Sequence, residues 1–456
     1  MLVWLLLCSI PVTAQSNPFG NALIPDMIAD ASIQEINGTF YCYATTDGYD
    51  GGLSTSGPPV VWKSKDFVHW SFSGICFPSA AGQVYWAPSK AIAANGKYYL
   101  YPTVNGYMYA AVSDSPEGPF RLAKGTDTFI KPYSVNTLLT PRSSHDPVGI
   151  DAEIFTDDDK KTYLFWQLRH AARLHEDMVT VDTNVAIIQT PRSGYSEGPI
   201  FFKRKGIYYF LYTLGGDERY QYAYVSGSVS PFGPFDKPKG NDIIATTNYK
   251  RQIFGPGHGC VFNVQGTDDY YLAYLEYGRG STNRQTYVNK LRFNDDGTIQ
   301  PVDLSMSGVG ALRKFKTDLP KQIKQVTASS FRAEVKIKPA KDSSLQRVEY
   351  FAPSFAVDGA NGSRWMASEG DTACWMIADL GRVVPVKRSD IYFVRPTAGH
   401  SYVLESSVDG KHWSPCGGYP DVRIQSPHSD VLRLKTRYLR VRIAEGVKGI
   451  WEWCIY

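Results

Sequence analysis

Five short hairpin segments recur in the first three hundred residues, and they constrain the fold more than any other feature of the chain. They are "NGTFYCYAT", "NGKYYLYPT", "DKKTYLFWQ", "KGIYYFLYT" and "TDDYYLAYL". Each sets aromatic and β-branched residues beside a polar or Gly-containing turn, the pattern of an antiparallel hairpin. Aligned on Tyr41, Tyr99, Tyr163, Tyr209 and Tyr271, they lie 58, 64, 46 and 62 residues apart. Each interval holds further strand-like runs and turn signals, enough for a four-stranded sheet. Five like sheets that cannot each bury both faces alone pack radially, so a five-bladed β-propeller is expected. The 30 Tyr, 22 Phe, 40 Gly and 28 Pro agree, favouring short strands and tight turns over helices.

A residue of special chemistry stands at a nearly fixed distance before each aligned Tyr. Asp30 is eleven residues ahead, in "IPDMIADASI", and Trp86 thirteen, in "YWAPS". Asp151 is twelve ahead, in "VGIDAEIF", Glu197 twelve, in "YSEGPIFF", and His258 thirteen, in "GPGHGCVF". The first strand of each propeller blade lines the central channel, so these five residues are expected to converge at one end of the axis. Clustered carboxylates repel, which makes the set a poor structural choice and a good chemical one. Carboxylates paired across a cleft are the equipment of glycoside hydrolysis: one donates a proton to the leaving oxygen, the other activates water or attacks the sugar. A third carboxylate beside the acid raises its pKa, and Trp86 offers a stacking face for a sugar ring.

These motifs resemble family 43 glycoside hydrolases. "IPDMIADASI" is similar to the family's blade-one motif, with Ala31 where Pro is usual. "GIDAEIFTDDDKKTYLFW" resembles the blade-three motif, with Lys160 in place of a Gly, and "YSEGPIFFKRKGIYYFLYT" matches the blade-four motif closely. "YWAPS", "DSPEGPF", "SVSPFGPF" and "GPGHG" fit as well, and the likeness covers residues 17–302. It implies an inverting mechanism in which Asp30 is the general base, Glu197 the general acid, and Asp151 the residue that tunes and orients the acid. Inversion needs roughly 6.5–9.5 Å between acid and base carboxyls, which Asp30 and Glu197 on non-adjacent blades can provide. Trp86, His258 and Arg284, the last in "TNRQTYVNKLRF", are implied substrate-site residues. No cofactor is required; the family's axial His stands near a central ion or water, so a structural Ca2+ near His258 is the one metal to test.

Each assignment has a plainer rival. Asp26 competes with Asp30 for the base, and the Ala-Asp-x-Ser match and the spacing favour Asp30. Asp146 competes with Asp151, and the "IDxxxFxDDD" match favours Asp151. Asp157, Asp158 and Asp159 read as a solvated turn, since no EF-hand spacing follows. His258 and Arg284 compete evenly with a core histidine and a surface arginine. Trp86 could equally pack a blade core.

Past residue 302 the blade pattern stops. Residues 303–325 read as a linker with a short helix or packing strap. "AVDGANGSRWMAS", "WMIADLG", "ESSVDGKHW", "TRYLRVRI" and "GIWEWCIY", within residues 326–456, resemble a discoidin or coagulation-factor type C domain, the jelly-roll β-sandwich shared with family 32 carbohydrate-binding modules. Trp365 and Trp413 fall at structural positions of that fold. Sugar binding and bracing of the propeller are equal readings of its role.

The first residues, "MLVWLLLCSIPVTA", resemble a signal peptide cut after Ala14, and the run is too short to span a bilayer. An exported protein is expected, periplasmic, at the cell surface or extracellular. A net charge of +4 without a basic block gives no nucleic-acid signal. Six Cys remain after Ala14, without a Cys-x-x-Cys pair, and free buried thiols are favoured over disulfides. The expected protein is a monomeric, all-β exo-glycosidase on pentose-containing plant oligo- or polysaccharide. α-L-Arabinofuranosidase comes first, with β-D-xylosidase and endo-arabinanase as alternatives. A non-catalytic carbohydrate-binding propeller is the non-enzyme alternative, against which the complete carboxylate set argues.

Overall fold

The computed structural model describes residues 18–49, 51–78, 82–123, 149–182, 184–280, 283–337 and 347–456. The apolar N-terminal run and Asp146 lie outside the described residues. Among those described the chain is all β, with only short 3-10 turns between strands. No helix among them is long and apolar enough to cross a membrane.

Five antiparallel sheets follow one another in the first part of the chain. They begin with strands Ile28–Ile36, Ile92–Ala94, Glu153–Thr156, Ile200–Arg204 and Gly257–Asn263, each paired to the strand that follows it. The paired strands, among them Thr39–Thr46, Thr162–Trp166, Ile207–Leu214 and Tyr270–Glu276, carry the aligned tyrosines. Their large side chains fill the gaps between sheets, where Phe165 stacks on Phe201 at 4.2 Å, and line up within a sheet, where Phe202 stacks on its cross-strand partner Tyr209 at 4.8 Å. The ring closes between the last sheet and the first. There the Ile33 amide meets Cys260 Sγ at 3.2 Å, and Leu23 donates to the Thr286 carbonyl at 2.8 Å.

Two expectations are corrected. The first and fifth sheets have three strands each, where four were expected throughout. Trp86 does not lie on the channel-lining strand of blade two. It sits on a separate strand, Tyr85–Trp86, paired with Thr103–Val104 in a small extra sheet, while Ile92–Ala94 opens the blade. That small sheet also takes in Tyr107–Met108, so it interrupts the blade between Lys97–Leu100 and Ala111–Ser113, which an even spacing cannot show.

The stretch after residue 302 is a packing strap without a helix. Arg313 donates to both oxygens of the buried Glu35 at 2.8 and 2.9 Å, and the Lys321 amide donates to the Ile455 carbonyl at 2.6 Å. The C-terminal part is a β-sandwich whose long strands Trp375–Phe393 and His428–Glu445 run antiparallel with bulges. Bulges let one strand turn through two directions, which is how so long a strand curves around a compact core. The described cysteines are all free, with Cys42, Cys76, Cys260 and Cys374 buried.

The two parts share a buried seam. Met27 packs with Tyr392, Val394 and Trp451. Asn361 donates to the carbonyls of Ala22 and Leu23 at 3.0 and 3.3 Å, and the Tyr392 hydroxyl to that of Trp70 at 3.1 Å. Arg279 lies over the Phe19 ring at 3.6 Å, bonds Glu349 at 3.2 Å, and reaches the Gly362 carbonyl and the Gln285 side chain. Arg347 pairs with Glu276 at 3.3 Å. Glu276, Arg279 and Gln285 belong to blade five and bracket or precede Arg284 in sequence, so the second domain grips the part of the propeller that carries that arginine.

Candidate active site

Asp30, Asp151, Glu197, His258 and Arg284 come together at one end of the channel. His258 Nδ1 lies 3.5 Å from Asp30 Oδ1 and 3.7 Å from Asp151 Oδ2, so one imidazole edge faces both carboxylates. Gly198, next to Glu197, donates its amide to Asp151 Oδ2 at 3.0 Å. Blades one, three, four and five thus each contribute a group.

The backbone is bent to make this possible. Asp30 has a φ of 52° at the bulge where the Ile28–Ile36 pairing shifts register, and Asp151 has a φ of 69° just before its strand. Left-handed conformations at non-glycine residues cost on the order of 1–3 kcal/mol and gather at functional sites. Gly198 has a φ of 55°, and a Cβ there would lie 2.6 Å from the His258 ring, so only glycine lets the two strands approach.

Asp30 is held by donors on several sides. Thr45 Oγ1 donates to Oδ2 at 2.7 Å, and Arg284 reaches both oxygens at 3.3 and 3.4 Å. Arg284 is itself locked by Asp47, which takes its backbone amide at 2.7 Å and Nη2 at 2.8 Å, and it lies 5.6 Å from the Tyr277 ring centre. Burial works against the guanidinium charge, but Asp30 and Asp47 outweigh it and raise its pKa. Arg284 is therefore a buried site residue and not a surface arginine.

The pKa values of Asp151 and Glu197 are both shifted upwards. Burial, and then the charge of Asp30, push Asp151 up to about 8. Burial, and then the charge of Asp151, push Glu197 up to about 7. The Thr213 hydroxyl clamps the Glu197 backbone, accepting from its amide at 3.0 Å and donating to its carbonyl at 2.6 Å. Such a set, with one carboxylate tied to a cation and two pushed up by burial and each other, can separate an acid from a base at neutral pH.

Trp86 is half-buried and reaches the cluster through its neighbour. Its indole donates to the Leu53 carbonyl at 3.2 Å, and the amide of its neighbour Ala87 donates at 2.8 Å to the same Thr45 hydroxyl that holds Asp30. The protein groups around His258 do not by themselves supply a calcium shell. Ca2+ takes about six to eight oxygen ligands, whereas His258 offers nitrogen turned to two carboxylates. No group of three or more His, Cys, Asp or Glu among the described residues is arranged to hold a metal.

Asp26, the rival base, lies away from this cluster at the domain seam. It is fully buried, accepts from Met27 N at 2.8 Å and from the Tyr49 hydroxyl, and its Oδ2 has no hydrogen-bond partner among the described residues. Burial, opposed by the Met27 amide, pushes it up to about 8. A carboxyl whose folded pKa exceeds its unfolded value supports folding fully below about pH 4, and that support is lost as pH rises towards the folded value. Asp26→Asn is therefore expected to stabilise the fold at pH 8 by roughly 1–3 kcal/mol, with the gain vanishing near pH 4. Denaturant midpoints at the two pH values, with activity retained, check this. Asp157, Asp158 and Asp159 form the expected turn, tied down where Lys203 meets Asp157 and Asp158 at 2.8 Å each.

Thr45, Asp47, Tyr195 and Gln167 escaped the sequence reading. The polar run Thr45-Thr46-Asp47, at the end of an aromatic strand and fully buried, is the signal that could have found the first two.

Comparison with known proteins fits this site. Residues 19–299 match the model for glycosyl hydrolases family 43, and residues 325–455 that for the F5/8 type C domain. A β-D-galactofuranosidase of Aspergillus niger is 30% identical over 65% of this chain and 88% of its own length. An arabinoxylan arabinofuranohydrolase of Bacillus subtilis is 26% identical over 74% of this chain and 75% of its own. A solved glycoside hydrolase structure, 67% identical, superposes with a TM-score of 0.93 over 97% of this chain and 100% of its own. The axial carboxylates thus stand on a propeller of known lineage, and the chain belongs to family 43 of the glycoside hydrolases, with an F5/8 type C domain at its C-terminal end.

Proposed function

We propose that this enzyme is an inverting exo-furanosidase that removes terminal furanosyl residues from plant-type oligo- or polysaccharide, α-L-arabinofuranosyl residues first. The observation that carries the reading is the split among the carboxylates. Asp30 is bound to Arg284 and Thr45, while burial and Asp151 hold the proton on Glu197. In this scheme Asp30 takes a proton from a water on one face of the sugar, and that water forms the new bond to the anomeric carbon. Glu197 gives its proton to the leaving oxygen on the other face as the glycosidic bond breaks. Buried side by side, Asp151 and Glu197 do not both ionise readily, which leaves a proton for the acid near neutral pH, and Asp151 orients Glu197 through the Gly198 amide. Trp86, His258 and Arg284 line the sugar site.

A β-D-galactofuranoside is the second reading, favoured by the relative named a galactofuranosidase. The two sugars share their configuration at every ring carbon of the furanose and differ in the exocyclic arm, so one pocket can hold both rings. The apolar run before Ala14 supports export, and the carbohydrate substrate supports work at the cell surface or beyond.

The test is turnover of p-nitrophenyl α-L-arabinofuranoside, β-D-galactofuranoside and β-D-xylopyranoside. The furanosides are expected to lead, and preference for the xyloside would overturn the reading. Glu197 must be protonated to act, so kcat/KM is expected to fall as pH rises past about 7. A profile flat from about pH 6 to 9 would remove Glu197 from the acid role.

A further inference from the structure

We propose that Tyr195, aimed by Gln167, is a positioning residue for the general acid: it holds one oxygen of Glu197 so that the other is presented to the leaving-group oxygen. The inference rests on the acid role given to Glu197 above. The Tyr195 hydroxyl donates to Glu197 Oε2 at 2.7 Å, and Gln167 Nε2 donates to the Tyr195 hydroxyl at 2.7 Å. An amide N–H only donates, so the phenol oxygen is the acceptor in one bond and its hydrogen is committed to the carboxyl in the other. The chain of donors runs in one direction, from blade three to the acid.

Packing does not explain Tyr195, whose side chain is 50% exposed. Tyr195 and Glu197 stand two residues apart in the irregular segment ahead of strand Ile200–Arg204, and their side chains meet directly. Gln167 is placed at a cost. The next two residues, Leu168 and Arg169, adopt φ values of 60° and 65°, and Leu168 is left 44% exposed. Consecutive left-handed residues other than glycine persist only where their surroundings fix them.

Three of the fixing hydrogen bonds go to the loop that carries Tyr195. Leu168 N donates to the Ser196 carbonyl at 2.8 Å. The Arg169 guanidinium donates to the carbonyls of Gly194 at 3.0 Å and Arg192 at 3.2 Å, and lies 5.2 Å from the Tyr212 ring centre. Blade three is thus stapled to the approach of blade four, and what the staple delivers is the Gln167 amide to the phenol and the phenol to the acid. With Oε2 occupied, Oε1 is the oxygen free to carry the proton. The same bond, which favours the charged carboxylate, counters the burial and the Asp151 charge that raise the Glu197 pKa.

The experiment compares wild type, Tyr195→Phe and Glu197→Gln on the methyl and the p-nitrophenyl glycoside of whichever furanose is turned over. A methoxide must be protonated to leave, and p-nitrophenolate need not. Tyr195→Phe is expected to lower kcat on the methyl glycoside about tenfold and on the aryl glycoside less than about twofold, with KM unmoved. It is also expected to move the alkaline limb up by about one pH unit, because a donor to the carboxylate is lost. Gln167→Leu touches the phenol and not the acid, and is expected to give about half that shift; it carries the test if Tyr195→Phe folds poorly. An unmoved limb with equal losses on both substrates overturns the proposal. A fully active Glu197→Gln overturns the acid assignment itself, so the two failures are told apart.

Discussion

Glu197→Gln is expected to lower kcat on a glycoside with a sugar or alkyl leaving group by about 10²–10⁴-fold, the usual contribution of a positioned acid. KM should change little, since the amide keeps the volume and the Tyr195 contact of the carboxyl. The fold should survive, because the backbone of residue 197 is clamped by Thr213 independently of its side chain. On an activated aryl glycoside the loss should be smaller, since that leaving group needs less help. Circular dichroism and steady-state kinetics on purified variant and wild type check both parts. An unchanged kcat on the alkyl glycoside would mean that another group delivers the proton.

Arg279→Ala is expected to be the most damaging single change away from the carboxylates. Its guanidinium is buried between the domains, against Glu349, Gln285, the Gly362 carbonyl and the Phe19 ring. Removing one partner of a buried pair costs roughly 3–5 kcal/mol, because the other charge is left without compensation. Glu349 keeps Arg364 at 2.8 Å, which places the cost towards the lower end. The consequence should extend to catalysis. Arg279 and Gln285 bracket Arg284, which reaches Asp30, so a loosened seam is expected to lower kcat as well as the unfolding midpoint. Urea denaturation and kinetics well below the midpoint separate the two. A lowered midpoint with unchanged kcat would confine the second domain's grip to stability, and an unchanged midpoint would deny it any weight.

What the sequence disclosed and what it hid follow from the range of the interactions. The blades were legible because each hairpin is local: aromatic runs and turn residues lie within ten positions of one another. Asp30, Asp151, Glu197 and His258 were legible because a repeat converts a position in sequence into a position around an axis. The same device failed at Trp86, where the extra sheet formed by Tyr85–Trp86, Thr103–Val104 and Tyr107–Met108 broke the count. Asp47 was missed because polar residues after a strand are ordinary, and only the fold reveals that this one is buried against Arg284, 237 positions away. Gln167 and Tyr195 meet across two blades, and no periodicity marks such a pair. The domain seam is longer-ranged still: Asn361 meets Ala22 across 339 positions. For that reason the sequence left bracing and sugar binding equal for the second domain, whereas the buried ion pairs and hydrogen bonds at the seam establish its contact with the blade that carries Arg284.

The measurement that bears most directly on the central claim is the anomeric configuration of the first sugar released. Proton NMR, recorded within the first turnovers of a p-nitrophenyl α-L-arabinofuranoside digest, reads it before the ring opens and equilibrates. Asp30 as base and Glu197 as acid, acting from opposite faces with a water between Asp30 and the anomeric carbon, predict β-L-arabinofuranose as the initial product. Initial release of the α anomer would mean that a side chain and not water attacks the sugar, and would contradict the roles given to both carboxylates.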